Sequence, residues 1–497
     1  MAFRVGLRIR KFFAGLAAAM MAAAPVAAEA QRISLLRDAE IEKYLEDYSR
    51  PIFAAAGLNP SSIEILLVND PSFNAFAGGR YMGVHTGLFT FANTPNEIEA
   101  VIAHEAGHLA ANHSARRGDA MAAATRPMIL SLLLAAGAVA AGAPEAGIGL
   151  LGLGQNVALA DLLVYSRSQE ATADQLSVTY LTRLQKSAKG AMDIWSRIRN
   201  YQIITGRRIN PYLQSHPLAN DRLNAMRERA TSSPYFHEVD SPEEMRRLAL
   251  IQAKIKGFLH DVNATLREYP LSDQSDPARY ARAVAYYRYS DIEKALSEIR
   301  HLTEAHPDYP YFHELQGQIL FEYGRTMDAI APYRQSVALL PDNALLRIGL
   351  GRALLSSNEP AMIEEAEMEL KRATLIEPDN GFAWFELARA YSFLGEESKA
   401  NLATAESRFH VGAKPDANQF ARRALPGLER GTPEWRQAMD IILATQPTDG
   451  APPLPEAQPG STGGPEKLPD SERKETDVPD PVPDPVPDPV VSEDNSR

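Results

Sequence analysis

Two histidines and a glutamate in one short run have the types and spacing of a hydrolytic metal site. His104 and His108 lie four residues apart in the sequence His104-Glu105-Ala106-Gly107-His108. On a helix, both imidazoles project from one face and can bind the same ion. Glu105 then lies beside them, where its carboxylate can take a proton from metal-bound water. The run therefore predicts one zinc ion per chain, with Glu105 as the general base of peptide-bond hydrolysis. A capped helix with surface histidines is the alternative.

A catalytic zinc site needs a third protein ligand and an open position. Residues 166–174 are predicted to be helical, which places Glu170 and Asp174 one turn apart on one face. Glu170 can then reach the ion, and Asp174 can accept a hydrogen bond from a ligand histidine and fix its tautomer. A solvated acidic face is the alternative, but the alanines and the leucine around the two acids indicate packing.

The composition limits the other chemistry that the chain can do. With 497 residues it is too long for one ordinary domain, and its 45% hydrophobic and 23% charged residues are typical of a globular protein. The formal net charge of −12 argues against nucleic acid as a partner, because nucleic-acid binding needs basic patches. The chain has no cysteine, which excludes thiolate zinc ligands, a cysteine nucleophile and disulfides.

The helix that carries the histidine run can be predicted from its cap. Residues 93–97 (Asn-Thr-Pro-Asn-Glu) have the cap, the proline and the glutamate of a helix start, and the helix is predicted to continue to about Arg116. On such a helix His113 lies about 140° round from His108 and should not share its metal ion. We therefore interpret His113, and also His85, as structural residues.

Three further segments precede this helix. Residues 33–56 have apolar residues at three- and four-residue intervals and are predicted to be helical. Residues 63–68 are rich in aliphatic side chains and are predicted to form a strand. Residues 73–88 are predicted to form a β-hairpin with its turn at Gly78-Gly79. These elements indicate a small β-sheet among helices.

The N-terminus has the features of a secretory signal peptide. Four basic residues precede an apolar stretch from Phe12 to about Ala24, and Ala28-Glu29-Ala30 has small residues at the two positions that a signal peptidase reads. We predict export with cleavage after Ala30. An uncleaved membrane anchor is the alternative, although the stretch is short for a span.

Residues 128–163 are almost uncharged, and Pro144-Glu145 divides them into two apolar arms. Neither arm has the roughly 20 residues that a membrane span needs. We interpret them as two buried or half-exposed helices, with a surface apolar enough for peripheral contact with a membrane or a hydrophobic client. A membrane-inserted hairpin is the alternative.

A repeat with a period of about 34 residues begins near Asp273. Its first small-residue slot is filled by Ala295, Ala329, Ala366 and Ala400. Its second slot is filled by Gly317, Gly351 and Ala388. Small residues at fixed slots let two helices cross closely, and such pairs stack into a solenoid. The period, the slots and a late proline in each unit are the signature of tetratricopeptide repeats. A generic helical bundle is the alternative.

From about Pro447, proline, glycine, serine and acids dominate. Prolines at this density preclude a core and predict a disordered tail. The predicted organisation is a signal peptide (1–30), a zinc metallopeptidase domain (31–245), a repeat domain (246–446) and an acidic, proline-rich tail (447–497). The predicted fold class is mainly α: a zincin-type α+β peptidase domain with a small β-sheet, followed by an α-solenoid of tetratricopeptide repeats.

The segments 103–108 (Ala-His-Glu-Ala-Gly-His) and 170–174 (Glu-Ala-Thr-Ala-Asp) together resemble the HtpX-type gluzincin metallopeptidases. The resemblance covers about residues 35–230, and the signal peptide and repeats make the chain most similar to periplasmic members with C-terminal repeats. It implies His104, His108 and Glu170 as zinc ligands and Glu105 as general base. It also implies a periplasmic location, with misassembled outer-membrane β-barrel proteins as clients and their assembly machinery as a partner.

Two further segments gain a role from this resemblance. In relatives, the histidine that matches His216, in a Ser-His-Pro sequence with Arg222 downstream, lies close to the metal and can act as a fourth, inhibitory ligand. The segment Asn74, Ala75 and Phe76 matches the family's strand beside the cleft. An exposed strand edge there can hold an extended peptide by main-chain hydrogen bonds.

Two functions from different classes follow. The first is a metalloendopeptidase whose repeat domain holds substrates or partners in its concave groove. The second is a chaperone-like repeat scaffold with a latent peptidase site. A dead scaffold should have lost Glu105 or a ligand, and neither is lost, which favours the enzyme. Latency imposed by His216 is compatible with both.

Overall fold

The computed structural model describes residues 34–116, 125, 128–135, 144–205, 212, 216 and 220–446. Within 144–164 and 201–205 it describes the helical backbone but, apart from residues 153 and 157, not the side chains. The predicted signal peptide (1–30) and the predicted tail (447–497) lie outside the described residues. The strands and helices up to residue 259 are β1 (Leu35–Leu36), α1 (Ala39–Ala55), β2 (Glu64–Val68), β3 (Ala75–Gly78), β4 (Tyr81–His85), α2 (Thr86–Phe91), α3 (Pro95–Ala110), α4 (Pro144–Arg183), α5 (Lys189–Thr205), α6 (Asn220–Ser232) and α7 (Pro242–Leu259).

The four strands form one sheet in the order β1-β2-β4-β3. β2 runs parallel to β4, and β3 runs antiparallel to β4 with Phe76 opposite Gly83. The predicted hairpin is therefore confirmed over residues 75–85. Its predicted end is wrong, because α2 begins at Thr86, where the side-chain hydroxyl donates to the carbonyl of Asp70 (2.9 Å). Within this sheet β3 is an edge strand.

The start of the first predicted helix is also wrong. Residues 35 and 36 form β1, antiparallel to β2, and α1 begins only after Asp38. The Asp38 carboxylate accepts hydrogen bonds from the backbone N–H groups of Glu40 and Ile41. A capping residue of this kind has an extended backbone, so the chain enters the helix from a strand. The rest of the prediction is confirmed, since α1 ends at Ala55.

Helix α3 runs through the centre of the domain, and all of its residues from Pro95 to His108 are buried. It begins as predicted. Thr94 Oγ1 accepts a hydrogen bond from Glu97 N (3.3 Å), and Pro95 occupies the first helical turn. The Glu97 carboxylate in turn accepts from Asn93 N (2.7 Å). These caps fix the start of the helix that carries the histidine run.

The predicted end of this helix is wrong. It stops at Ala110 instead of continuing to Arg116, because Asn112 has a left-handed backbone with φ of 54°. A new helical turn begins at His113. The angle of about 140° expected between His108 and His113 on one continuous helix therefore does not apply.

Helix α4 carries Glu170 and Asp174. Small residues at its contact with α3 let the two helices approach closely. A side chain at Gly107 would place its Cβ 3.0 Å from both the Cα and the carbonyl oxygen of Ala173. Ala173 lies between Glu170 and Asp174 and is fully buried. The contact between Gly107 and Ala173 thus brings the two acids against the face that carries the histidines.

Residues 128–135 are helical and form an exposed apolar surface. Ser131 and Ala135 are buried, whereas the other six side chains, Met128, Ile129, Leu130, Leu132, Leu133 and Leu134, are 46–65% exposed. Among the helices of the described residues, none has both the length and the apolarity to cross a membrane. Peripheral contact of residues 128–163 with a membrane stays a prediction, and flotation of the full chain with anionic lipid vesicles would test it.

The helices after α7 pack mainly against their neighbours along the chain. They are α8 (Val262–Glu268), α9 (Asp276–Arg288), α10 (Ile292–Ala305), α11 (Pro310–Glu322), α12 (Thr326–Leu339), α13 (Ala344–Leu355), α14 (Pro360–Ile376), α15 (Gly381–Phe393), α16 (Glu397–His410), α17 (Lys414–Ala424) and α18 (Pro433–Ala444). The small-residue slots lie where paired helices touch. A Cβ at Gly317 would lie 2.8 Å from the Tyr333 ring, and one at Gly351 would lie 2.6 Å from Leu370. The chain is mainly α, with a small mixed sheet and an array of helical repeats.

Helix α7 belongs to two hydrophobic cores at once. Leu248, Ile251 and Ile255 pack with the sheet and with α1 to α6, whereas Leu250 and Ala253 pack with the repeat helices. The predicted domain boundary between residues 245 and 246 falls within this helix.

A buried ionic cluster lies at the same junction. Lys254 Nζ of α7 lies 2.7 Å from Asp38 Oδ2, 3.3 Å from Glu40 Oε2 and 3.8 Å from Glu314 Oε2. The hydroxyls of Tyr280 and Tyr309 donate to the Glu40 carboxylate at 2.8 and 2.6 Å. We call this group the Lys254 cluster. It joins the start of α1 to the repeat helices α9 and α11.

Candidate metal centre

Four side chains that the sequence singled out converge in the interior. One potential ligand atom from each of His104, His108, Glu170 and His216 lies within 4.8 Å of the others, and all four residues are buried. His104 Nε2 lies 3.1 Å from His108 Nε2 and 3.4 Å from His216 Nδ1. Glu170 Oε1 lies 3.0 Å from His216 Nδ1. Helix α3 supplies the first pair, α4 supplies Glu170, and His216 reaches the same point from the segment before α6.

Glu105, the candidate general base, lies beside these four ligand candidates. Glu105 is 1% exposed, and its Oε1 atom lies 3.6 Å from His216 Nε2. This oxygen is buried without a hydrogen-bond partner among the described residues. A buried carboxylate oxygen without a partner is energetically costly and needs an explanation, and a role as proton acceptor for a reacting water would provide one.

Asp174 and Arg222 hold the side chains of His104 and Glu170 in place. Asp174 Oδ1 lies 3.0 Å from His104 Nδ1, the ring nitrogen that faces away from the cluster. The Arg222 guanidinium donates to both oxygens of Asp174, at 2.7 and 2.9 Å, and its Nη1 lies 3.0 Å from Glu170 Oε2. One buried arginine thus orients both acids of α4, and Asp174 orients the ring of His104.

The charges of the metal-free site favour a cation. Burial alone would lower the pKa of His104, but its contacts with Asp174 and Glu170 outweigh burial and raise that pKa to about 10. Burial, and then the positive charge on His104, lower the pKa of His108 to about 2. Burial opposes ionisation of Glu170, but its contacts with His104 and His216 lower its pKa. In the metal-free site the His104 ring therefore carries a positive charge. A metal ion that binds to this ring must displace the extra proton.

Burial raises the pKa of Glu105 above its ordinary value, and electrostatic interactions with His216 and His104 offset only part of this rise. A carboxylate with a raised pKa is a stronger base than an exposed one, which suits general-base catalysis near neutral pH.

His216 is held by a stack of aromatic rings. Its ring stacks on Tyr212, with the ring centres 4.5 Å apart, and Tyr212 stacks on Trp195, with centres 5.0 Å apart. His216 N also donates to Tyr212 O (2.7 Å), so a backbone hydrogen bond joins the two residues whose rings stack. The edge of Trp195 also packs against His104, at 5.8 Å between the ring centres. The stack positions His216 beside the three other ligand candidates.

The two histidines interpreted as structural differ in position. His85 contacts Ser72 Oγ (3.2 Å) and the side-chain amide of Asn74 (3.4 Å), outside the four-residue cluster. His113 is buried, and its Nδ1 lies 2.9 Å from Nδ1 of His108. The premise that kept His113 away from the site, a continuous helix, was wrong. Asparagine at position 112, a residue that tolerates the left-handed backbone, was the signal in the sequence.

The substrate-edge candidates Asn74, Ala75 and Phe76 lie at the start of β3, the edge strand. Ala75 points into the core (1% exposed), and the Phe76 ring covers Gly83 of β4. Ser114 Oγ, just beyond His113, donates to the carbonyl of Ala77 (3.1 Å). The edge strand is thus tied to the end of the segment that carries the metal-ligand candidates.

The donor set fits a zinc ion. Zinc in proteins takes imidazole nitrogen and carboxylate oxygen ligands, and His104, His108 and Glu170 provide both kinds at one point. Two neutral imidazoles and one carboxylate leave a dipositive ion with the residual positive charge that a Lewis acid needs.

Comparison with known proteins agrees with this geometry. Residues 36–230 match the model of peptidase family M48, and this range contains every residue of the cluster. These residues are a peptidase family M48 domain, and the chain is a metalloendopeptidase, a hydrolase.

Curated relatives extend the similarity along the chain. A putative beta-barrel assembly-enhancing protease of Vibrio cholerae is 25% identical over 406 residues, which cover 80% of this chain and 82% of that protein. The beta-barrel assembly-enhancing protease of Escherichia coli K12 is 24% identical over 80% of this chain and 81% of its own length. The mitochondrial metalloendopeptidase OMA1 of Schizosaccharomyces pombe is 26% identical over 39% of this chain and 57% of its length.

Among solved structures, YrrB, described as a TPR protein with an unusual peptide-binding site, is similar to 35% of this chain and 91% of its own length. The sequence identity is 15% and the TM-score is 0.30.

Proposed function

We propose that the chain is an exported, zinc-dependent metalloendopeptidase with Glu105 as its general base, acting in the quality control and assembly of outer-membrane proteins. The observation that carries the proposal is the buried convergence of His104, His108 and Glu170 beside the unpartnered carboxylate oxygen of Glu105. The names of the curated relatives support the cellular role, and the predicted signal peptide supports a periplasmic location.

In the proposed reaction His104, His108 and Glu170 hold the zinc ion. When bound, zinc activates a water molecule and polarises the scissile carbonyl. Glu105 accepts the proton of the attacking water and passes it to the leaving amine. Asp174 and Arg222 keep His104 and Glu170 in their binding orientations throughout. The β3 edge, with Asn74, Ala75 and Phe76, holds the extended substrate by main-chain hydrogen bonds.

Metal removal tests the proposal directly. The purified full chain should contain one zinc per molecule by elemental analysis and should cleave casein. Dialysis against a chelator should abolish cleavage, and stoichiometric zinc should restore it. Because two of three ligands would be lost, the His104→Ala/His108→Ala double variant should retain no zinc. Full cleavage by zinc-free protein would refute the zinc mechanism.

A latent site is the second candidate function, and the position of His216 favours it. His216 Nδ1 lies 3.0 Å from Glu170 Oε1 and 3.4 Å from His104 Nε2, so it lies where a fourth ligand of the ion would lie. We propose that His216 acts as a fourth, inhibitory ligand that keeps the peptidase mostly off. The repeats would then act as a chaperone-like scaffold until His216 withdraws.

Removing this histidine should raise activity. His216→Ala is expected to increase casein cleavage about tenfold, since one net hydrogen bond or weak ligand contact contributes about 1.4 kcal/mol. His301→Ala, at an exposed position of α10, is the control and should leave the rate unchanged. Unchanged or lower activity of His216→Ala with normal zinc content would contradict the inhibitory role.

The client class and the location have their own tests. The full chain with Glu105→Gln, which should bind clients without cutting them, is expected to co-purify with outer-membrane β-barrel precursors from a periplasmic extract. Recovery of the wild type in the cytoplasmic fraction would contradict the proposed export. We also propose the domain boundaries predicted above, with α7 shared between the peptidase and repeat domains.

A further inference from the structure

The two histidines of the histidine run present the same ring atoms to the cluster. Their Nε2 atoms lie 3.1 Å apart and face each other, so their Nδ1 atoms face outward. The outward nitrogen of His104 lies 3.0 Å from Asp174 Oδ1. A ligand histidine almost always donates the N–H of its second ring nitrogen to a hydrogen-bond acceptor, which fixes its tautomer. His108 therefore needs a partner equivalent to Asp174.

That partner is His113. Its Nδ1 lies 2.9 Å from the outward Nδ1 of His108, and the two rings meet edge to face with their centres 4.9 Å apart. A hydrogen bond between two nitrogens needs one proton, so one ring donates and the other accepts. When His108 binds a metal through Nε2, its own Nδ1 carries the proton, and His113 must accept.

The backbone holds His113 in this position. The left-handed residue Asn112 ends α3 and turns the chain, so that the next side chain points back along the helix it has just left. The side-chain amide of Gln169 donates to His113 O (3.4 Å), and Gln169 directly precedes Glu170 on α4. Ser114 Oγ ties the following residue to the edge strand at Ala77 O. His113 is 8% exposed, so water competes little for its ring.

We propose that His113 is a positioning residue of the metal centre, which accepts a hydrogen bond from His108 and fixes the tautomer with which His108 binds the ion. This inference rests on the metal site proposed above. It makes the short segment from Asn112 to Ser114 part of the site's support, although none of its residues belongs to the four-ligand cluster.

The test is zinc affinity of the full chain, measured by competition with a chromophoric chelator. His113→Leu keeps the approximate volume and removes the acceptor, and it should weaken zinc binding about 10- to 100-fold. His113→Asn places its amide oxygen where Nδ1 was, since both atoms are bonded to Cγ, and it should bind within a few-fold of wild type. His113→Gln moves the same amide one methylene further and should bind as weakly as the leucine variant.

The Asn and Gln variants keep the inference testable if His113→Leu fails to fold, because they have the same polarity and differ in where the acceptor lies. Equal affinities for these two variants would overturn it, as would wild-type affinity in His113→Leu. His85→Ala removes another histidine that is 8% exposed and should leave zinc affinity unchanged. Failure of the wild type to bind zinc would instead overturn the proposed function itself.

Discussion

Glu105→Gln is expected to reduce cleavage of casein by about 10²- to 10⁴-fold while zinc content stays at the wild-type level. Glutamine has the shape of the glutamate but cannot take a proton from the attacking water. Glu105 is 1% exposed, and burial raises its pKa, so it is a stronger base than an exposed carboxylate. The measurement is the initial rate per zinc-loaded molecule.

The matched control is Glu99→Gln, the same change on the same helix. Glu99 is also buried, with its carboxylate 3.2 Å from Lys186, and burial raises its pKa to about 7. Glutamine resembles the protonated form that this environment favours, so the variant should fold and cleave at the wild-type rate. If both variants lost activity equally, the loss would reflect damage to α3. If neither did, Glu105 would not be the base.

Lys254→Met is expected to lower the free energy of unfolding by about 3–5 kcal/mol. The side chain is 5% exposed and faces Asp38, Glu40 and Glu314, so its removal leaves buried carboxylates without their cation. Burial, only partly offset by Lys254, already raises the pKa of Glu314 to about 7. Urea denaturation followed by circular dichroism would measure the loss.

The loss in free energy of unfolding caused by Lys254→Met should depend on pH. A carboxyl group whose pKa is raised in the folded state destabilises the fold above that pKa and has no such effect below its unfolded pKa. Lys254 lowers the pKa of Glu314, so without Lys254 this acid should take up a proton more readily, and the deficit should be larger at pH 8 than at pH 5. Lys256→Met is the control, because its partner Glu268 is exposed, and it should cost at most about 1 kcal/mol. Equal effects of the two changes would contradict a special role for the Lys254 cluster.

The features that the sequence predicted well depend on local spacing. The four-residue interval between His104 and His108, and that between Glu170 and Asp174, need only a helix to place each pair on one face. The cap at Thr94 and the turn at Gly78-Gly79 are also local signals. For this reason the elements that carry the site, and the repeat array, could be predicted without knowing what packs against them.

The sequence-based predictions were wrong or incomplete where an element or a contact depends on residues distant in the chain or on a single backbone angle. β1 has two residues and exists because it pairs with β2, some thirty positions later in the chain. The end of α3 depends on one left-handed residue, Asn112, and this error hid the contact of His113 with His108. The Lys254 cluster combines residues from α1, α7, α9 and α11, and no spacing rule connects them.

Helix α7 limits how the two halves of the protein can move. Its side chains alternate between the core around the sheet and the core of the repeats. Separating α7 from either core would therefore expose apolar side chains of that core to water. Hinge opening between the halves would therefore cost much of the stability of both, and unfolding should be a single cooperative event. Under the function proposed above, release of the peptidase would need only a displacement the size of one side chain, the withdrawal of His216 from its aromatic stack.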